Sequence, residues 1–207
     1  MSRRKWILVG MTFCGIIIIV CLTIMYSYLR PITPKDIREL SRQLALNLSG
    51  KHSLVEVVLI TANQVKHPRI KRTLLEIHYR LKTPHQRKQF DELLADYPEV
   101  FPHEFVLAVD YGGMLGKVDI VLKELSETWP DKAEERKEVI TKILKPLALQ
   151  TLKGKDQFRR GYALYVLAKL GCKDTVPDIL PLLQDPNPNI RWQAQRALQL
   201  LGYKVNE

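Results

Sequence analysis

The sequence predicts an all-α protein: an N-terminal transmembrane helix, a bundle of six helices and a short C-terminal HEAT-like α-hairpin repeat. Three observations carry this. Residues 6–29 hold no charged side chain. The residues after Arg30 repeat a local pattern in which a capping residue precedes apolar positions three and four apart. Towards the C-terminus, Arg, Ala, Leu, Leu and Gly recur at an offset of 31 residues. No stretch alternates convincingly with the period of two that a half-buried strand needs.

The uncharged stretch Trp6 to Leu29 is 24 residues long and lies between Lys5 and Arg30-Pro31. At about 1.5 Å per residue its helix would reach roughly 36 Å, against about 30 Å for a hydrocarbon core. A cleaved signal peptide would be shorter and would end in small residues. This run ends in Tyr26-Ser27-Tyr28-Leu29, and the residues before Cys14 and Cys21 are Phe13 and Val20, too bulky for a lipoprotein site. Trp6, Tyr26 and Tyr28 sit where an aromatic belt belongs. The expectation is a single-pass protein of the inner (cell) membrane. The two flanks argue opposite orientations: Arg3, Arg4 and Lys5 of the tail 1–5 on one side, Arg30, Lys35, Arg38 and Arg42 on the other. A cytoplasmic body is the working expectation. Cys172 is the one thiol after the anchor, so the body can form no internal disulfide, which favours a reducing compartment.

The chain has 32 basic and 22 acidic residues among 207, and every acid follows Arg30. Positions 30–207 carry a net charge of +7, from 29 basic and 22 acidic groups. This favours an acidic partner or an anionic membrane surface. No aromatic-basic RNA motif or zinc-finger spacing occurs, so nucleic acid is not expected.

The linker 30–33 leads to Thr33, a cap followed by Pro34 and Asp36, and then to the stripe Ile37, Leu40, Leu44 and Leu48, closed by Gly50. Ser53 to Glu56 is a capping box that starts a second helix with Leu54, Val57, Val58, Thr61, Ala62 and Val65 inward, broken at His67-Pro68. A third carries Ile70, Leu74, Ile77 and Leu81. Thr83-Pro84-His85-Gln86 repeats the cap-plus-proline signal ahead of Phe90, Leu93 and Leu94, and Tyr97-Pro98 stops that helix. Pro102 opens a fifth helix to about Tyr111, with Gly112-Gly113 read as a turn. Leu115, Val118, Leu122 and Leu125 mark a sixth, ending near Trp129-Pro130.

Three pieces of this segment together resemble the cytoplasmic domain of the type II secretion F-protein family, which includes the platform proteins of type IV pili. They are Arg42 to Ala45 with Leu48-Ser49-Gly50 and Leu54 to Val58; Pro98-Glu99-Val100-Phe101-Pro102; and Gly112 to Gly116 with Leu122 and Leu125. The resemblance spans about 35–129. It implies a six-helix bundle at 34–130 that scaffolds a secretion or pilus machine, with a hexameric assembly ATPase and pilin-like subunits as partners. The chain departs from the family in having one such domain and one anchor. It also has Gly113 where the family usually has an acid, and a tail the family lacks.

In that tail, Arg160/Arg191, Ala163/Ala194, Leu167/Leu198, Leu170/Leu201 and Gly171/Gly202 coincide. Thr175 to Leu183 reads as a helix between them, and Asp185-Pro186-Asn187-Pro188 as the turn. The pattern at 156–207 looks like a short HEAT-like repeat. The alanines would let helices approach, Leu167 and Leu198 would fill the core, and Gly171 and Gly202 would allow left-handed helix ends. Asp185 would fix the turn, with Arg191 pairing to it or to a neighbouring acid. Fewer than two full repeats cannot bury a continuous core. The amphipathic helix expected within 131–155, with Ile140, Ile143, Leu144 and Leu147, would supply a first layer, or else the tail would dock on the first domain or on a partner.

No catalytic, cofactor-binding or metal site is expected. The five histidines show no ligand spacing. Gly112 to Val118 is no P-loop, because its glycines are misplaced and Val118 stands where Ser or Thr would bind magnesium. The aromatic residues are mostly at helical core spacing. One surface feature stands out: Lys66, Arg69, Lys71, Arg72, Arg80, Lys82, Arg87 and Lys88 crowd around a single acid, Glu76. They are candidates for contact with anionic lipid or an acidic protein surface. The expected function is a non-enzymatic, membrane-anchored scaffold of a type II secretion or type IV pilus-like assembly. A generic tethered HEAT adaptor is the alternative, and an enzyme akin to the phycobilin lyases, which share short HEAT-like repeats, a remote one.

Overall fold

A computed structural model describes residues 16–23, 25–26, 29–50, 52–83 and 88–204. Within the expected anchor, 16–23, 25–26 and 29 are helical and exposed; the tail 1–5 and residues 6–15, 24, 27 and 28 lie outside the described residues. Among the described residues, no helix is long and apolar enough to cross a membrane. The described residues contain helices and no strand.

Six helices fill the first part of the body: α1 (Pro34–Leu48), α2 (Leu54–Gln64), α3 (Pro68–Lys82), α4 (Phe90–Ala95), α5 (His103–Leu115) and α6 (Val118–Thr128). Their starts follow the local chemistry. At α1 the Thr33 N–H donates to the Asp36 carboxylate at 2.9 Å while the Asp36 N–H reaches back to Thr33 Oγ1. Ser53 and Glu56 do the same for α2. Each box satisfies donors that an open helix end would leave unpaired. Helix α1 packs on α6 and α2, α2 on α3, and α5 on α6 and α4. Leu40, Leu44, Val57, Val58, Leu74, Ile77, Leu122 and Leu125 are wholly buried between them. Each such aliphatic side chain contributes roughly 1.5–3 kcal/mol on burial.

The Gly112-Gly113 pair is not a turn. Helix α5 continues through it to Leu115, and the chain reverses at Gly116, whose φ is 65°. Gly112 instead serves close packing: a Cβ there would lie 3.1 Å from both Val118 Cα and Val121 Cγ2 of α6. Gly112→Ala is expected to cost about 1–3 kcal/mol by forcing α5 and α6 apart. Gly113→Ala meets nothing within 4 Å and should instead stabilise the helix by about 0.5–1 kcal/mol. Thermal unfolding of the two variants checks both signs.

After a 3₁₀ turn at Ala133–Glu135, α7 (Arg136–Leu152) buries Ile140, Ile143, Leu144 and Ala148, with Leu147 half-buried. It packs on α5 and α6 and, most extensively, on α8 (Gln157–Leu170). The stretch Thr175 to Leu183 is not one helix. A 3₁₀ turn at Lys173–Thr175, the single turn α9 (Val176–Ile179) and a second 3₁₀ segment at Leu180–Gln184 follow one another. Pro177 and Pro181 each remove a backbone donor, which favours short tight turns over a continuous helix. Helix α10 (Pro188–Leu200) closes the fold against α8.

The buried apolar residues form one continuous core from Ile37 to Leu201. The tail therefore needs no third repeat, because α7 and α5 cover one side of α8. Tyr165 of α8 meets Tyr111 of α5 edge-on at 6.3 Å. The Arg159 guanidinium lies against Gly116, within 2.6 Å of where a Cβ would stand.

Candidate interaction surfaces

The basic stretch forms two groups rather than one patch. Lys66, Lys71, Arg72, Lys82 and Lys88 are exposed, Arg69 and Arg80 are half-buried, and Arg87 lies outside the described residues. Arg80 and Lys88 converge on Asp96 at 2.6 and 2.8 Å, and Arg80 also donates to the Tyr97 hydroxyl at 3.3 Å. These bonds, from Lys88 first and then Arg80, hold the Asp96 carboxyl below its ordinary pKa. Arg69 and Arg72 lie in the first turns of α3, at its other end, and Lys66 just before them. There the buried His67 ring contacts the Arg30 carbonyl at 3.2 Å, so this end adjoins the point where the N-terminal segment enters the body. Between the groups, Leu75 and Tyr79 remain exposed on α3.

The repeat-related residues divide their roles. Ala163, Leu167, Ala194 and Leu198 are wholly buried. Gly171 and Gly202 both adopt left-handed φ values, 72° and 81°. Arg160 Nε donates to the Leu152 carbonyl at 3.1 Å, and its Nη2 pairs with the Asp185 carboxylate. Asp185 also accepts the Asn187 N–H at 2.9 Å. Among the described residues Arg191 makes no ion pair with an acid: Nη1 donates to the carbonyls of Asp185 at 2.8 Å and Pro186 at 3.2 Å. The partner of Asp185 is thus the arginine of the preceding unit. Burial pushes the Asp185 carboxyl up. The Asn187 N–H, the Arg160 hydrogen bond and the charges of Arg160 and Arg191 outweigh it and leave the carboxyl below its ordinary 3.8.

The aromatic residues depart from the core spacing expected of them. Phe101, Phe105, Tyr111 and Trp129 are buried, but Phe158, Tyr162, Tyr165, Trp192 and Tyr203 stay exposed. Four of these line a groove of about 560 Å³ between α8 and α10. Phe158 is 83% exposed and Trp192 57%. The Arg196 guanidinium stands 5.3 Å from the Trp192 ring centre, and the Lys169 ammonium 5.5 Å from that of Tyr165. The sequence signal was present in the spacing of Phe158, Tyr162 and Tyr165. Helical spacing alone fails to tell an inward stripe from an outward one when both faces of a helix are apolar.

A second cleft of about 940 Å³ runs beside it, between α4, α5 and α8, and shares Phe158 and Tyr162. Asp91, Glu92 and Asp110 line it. Burial pushes the Asp110 carboxyl up from its ordinary 3.8, and the charges of Asp91 and Glu92 add to this. A raised folded-state pKa stabilises the fold at low pH, and that stability is lost as pH rises through it. Asp110→Asn should therefore raise Tm at pH 7, with the gain vanishing as pH falls below 3.8; melts across pH 3–7 check it. Among the described residues, no group of three His, Cys, Asp or Glu is placed to hold a metal.

Residues 40–151 match the family of type II secretion system protein F, and residues 144–206 match HEAT repeats. The first match covers more than half of the chain. The protein belongs to the type II secretion system protein F family. Type II secretion system protein F of Vibrio cholerae is 29% identical over 118 residues, which cover 57% of this chain and 27% of that protein. The chain thus spans about a quarter of that relative's length. No solved structure matches. The F-family match takes in α7 and overlaps the HEAT match at 144–151, within the helix that packs on both parts. Gly113, at the position where the resemblance leads one to expect an acid, faces open space.

Proposed function

We propose that this protein is a membrane-anchored, non-catalytic scaffold of a type II secretion or type IV pilus-like assembly. One observation carries the reading: a single F-type domain follows directly on a 24-residue uncharged segment and is fused, through α7, to a HEAT-like tail with an open aromatic face. The uncharged segment is the anchor in this reading, and the body is cytoplasmic. An assembly ATPase or pilin-like subunits are the protein partners. Lys66, Arg69, Lys71 and Arg72 would meet anionic headgroups, since their end of α3 adjoins Arg30. Arg80, Lys82, Arg87 and Lys88 would serve a protein contact instead, with Asp96 holding Arg80 and Lys88 in place beside it.

A reporter fused after Glu207 reads the orientation, and affinity purification of the tagged chain from membranes reads the partners. Recovery of an assembly ATPase with a cytoplasmic reporter supports the proposal, and an external reporter removes the ATPase as a partner. In nanodiscs, amide exchange at the start of α3 should slow with phosphatidylglycerol compared with phosphatidylcholine. The double variant Arg69→Glu/Arg72→Glu should abolish that difference. A generic tethered adaptor is the second reading, favoured by the HEAT tail and by the small share of the relative that the chain spans. Purification of an unrelated partner without any secretion component would select it.

A further inference from the structure

The groove between α8 and α10 has the shape and charge of a helix-binding site. On α8, Phe158, Tyr162 and Tyr165 follow one another at four and three residues; on α10, Trp192, Arg196 and Leu200 do so at four and four. Each wall is therefore roughly 10–12 Å long, about two helical turns. The floor is shallow at Gly161, where the Gln193 side-chain amide lies over the bare helix backbone. A Cβ on Gly161 would come within 1.9 Å of Gln193 Oε1. That oxygen is buried and has no hydrogen-bond donor among the described residues.

The two helices that wall the groove are basic, and the acids Asp91, Glu92 and Asp110 lie in the neighbouring cleft beyond Phe158 and Tyr162. Helix α8 carries Arg159, Arg160 and Lys169 and no acid; α10 carries Arg191 and Arg196 and no acid. Arg196 is the charged residue lining the groove, and no carboxylate lines it among the described residues. Arg196 is stacked on Trp192, which fixes that cation at the rim above apolar walls, and Lys169 is stacked on Tyr165 one turn farther along α8. A second copy of this chain would bring the same basic face, and like charges would oppose it. A membrane surface is too flat to reach a concave floor.

From these observations we infer that the groove binds an acidic amphipathic helix of a protein partner. Leucine-like side chains at every third or fourth position pack between Phe158 and Trp192, and carboxylates meet Arg196 and Lys169. This deepens the scaffold reading and rests on it, naming the chemistry of one partner segment.

The test uses the full chain in nanodiscs and the fluorescence anisotropy of a labelled peptide, about four helical turns long, with Leu on one face and Glu elsewhere. Its counterparts carry Lys for Glu, or a central Pro. The acidic peptide should bind at least tenfold more tightly than either counterpart. Phe158→Ala, Trp192→Ala and Arg196→Glu should each weaken it at least tenfold, and added salt should weaken it further. Phe158 and Trp192 are exposed enough that unchanged thermal melts are expected of their variants. Equal binding of the acidic and basic peptides, or indifference to Trp192→Ala, overturns the inference. So does self-association in sedimentation, or binding of phosphatidylglycerol vesicles, that Trp192→Ala abolishes. Loss of peptide binding while an assembly ATPase still co-purifies removes the groove site and leaves the scaffold. Peptide binding without any secretion partner leaves the groove site and removes the secretion assembly.

Discussion

Trp129→Ala is expected to cost about 4 kcal/mol and to lower Tm by roughly 8–16 °C. Trp129 is 1% exposed and stands where four helices meet. Its ring lies edge-on to Phe105 at 6.2 Å, and Phe105 in turn stacks on Phe101 at 6.1 Å. The Arg136 guanidinium of α7 covers the ring at 5.3 Å. The Trp129 carbonyl accepts from Arg38 Nη1 of α1 at 2.7 Å, and its N–H donates to the Leu125 carbonyl at 3.0 Å. The backbone would stay pinned while the largest side chain in the bundle disappeared, so the cavity could not collapse. The indole Nε1 has no acceptor among the described residues. Trp129→Phe therefore loses ring area but no hydrogen bond, and should cost about 1.5 kcal/mol or less. Urea unfolding followed by circular dichroism separates the two. A loss below about 1 kcal/mol for the alanine variant would mean that the four helices hold together without this ring.

Local chemistry made most of the body legible before any coordinates. The capping boxes at Thr33 and Ser53 and the stripe Ile37, Leu40 and Leu44 are read directly, because each is set within one helical turn. What failed was set mostly by contacts beyond the local helix, and in one case by prolines within it. Gly112 looks like a turn residue unless Val118 and Val121 are known to press on it. Thr175 to Leu183 looks like a helix on apolar spacing, yet two prolines break it into short turns. Eight basic residues in one stretch look like one surface until Asp96 gathers Arg80 and Lys88. The aromatic groove escaped for the opposite reason. Helix α8 buries Ala163, Leu164, Leu167 and Ala168 on one side and shows Phe158 and Tyr162 on the other. An apolar count sees a core helix in both.

The second large effect concerns Arg160, and it distinguishes two arginines that the repeat makes look equivalent. Arg160→Ala should cost about 3 kcal/mol and lower Tm by roughly 6–12 °C. Both partners are shielded, with Arg160 and Asp185 side chains 17% and 7% exposed, so removing one leaves the other poorly solvated. Arg160 also holds the last turn of α7 through the Leu152 carbonyl, so the α7–α8 corner and the Asp185 turn would loosen together. Arg160→Lys keeps the charge but loses the two-pronged geometry, and should recover only part of the loss. Arg191→Ala removes bonds from an exposed side chain to two carbonyls, and about 1 kcal/mol is the expected cost. The pH dependence follows from the lowered Asp185 pKa. Its stabilisation is present above the ordinary 3.8 and is lost as pH falls through the lower folded-state value. In Asp185→Asn that acid-dependent loss should disappear, together with most of the additional effect of Arg160→Ala. If instead the Arg160 and Asp185 variants prove additive in a double-mutant cycle, the pair does not couple. The Asn187 N–H and the Arg191 bonds to the Asp185 and Pro186 carbonyls would then fix the turn without Arg160.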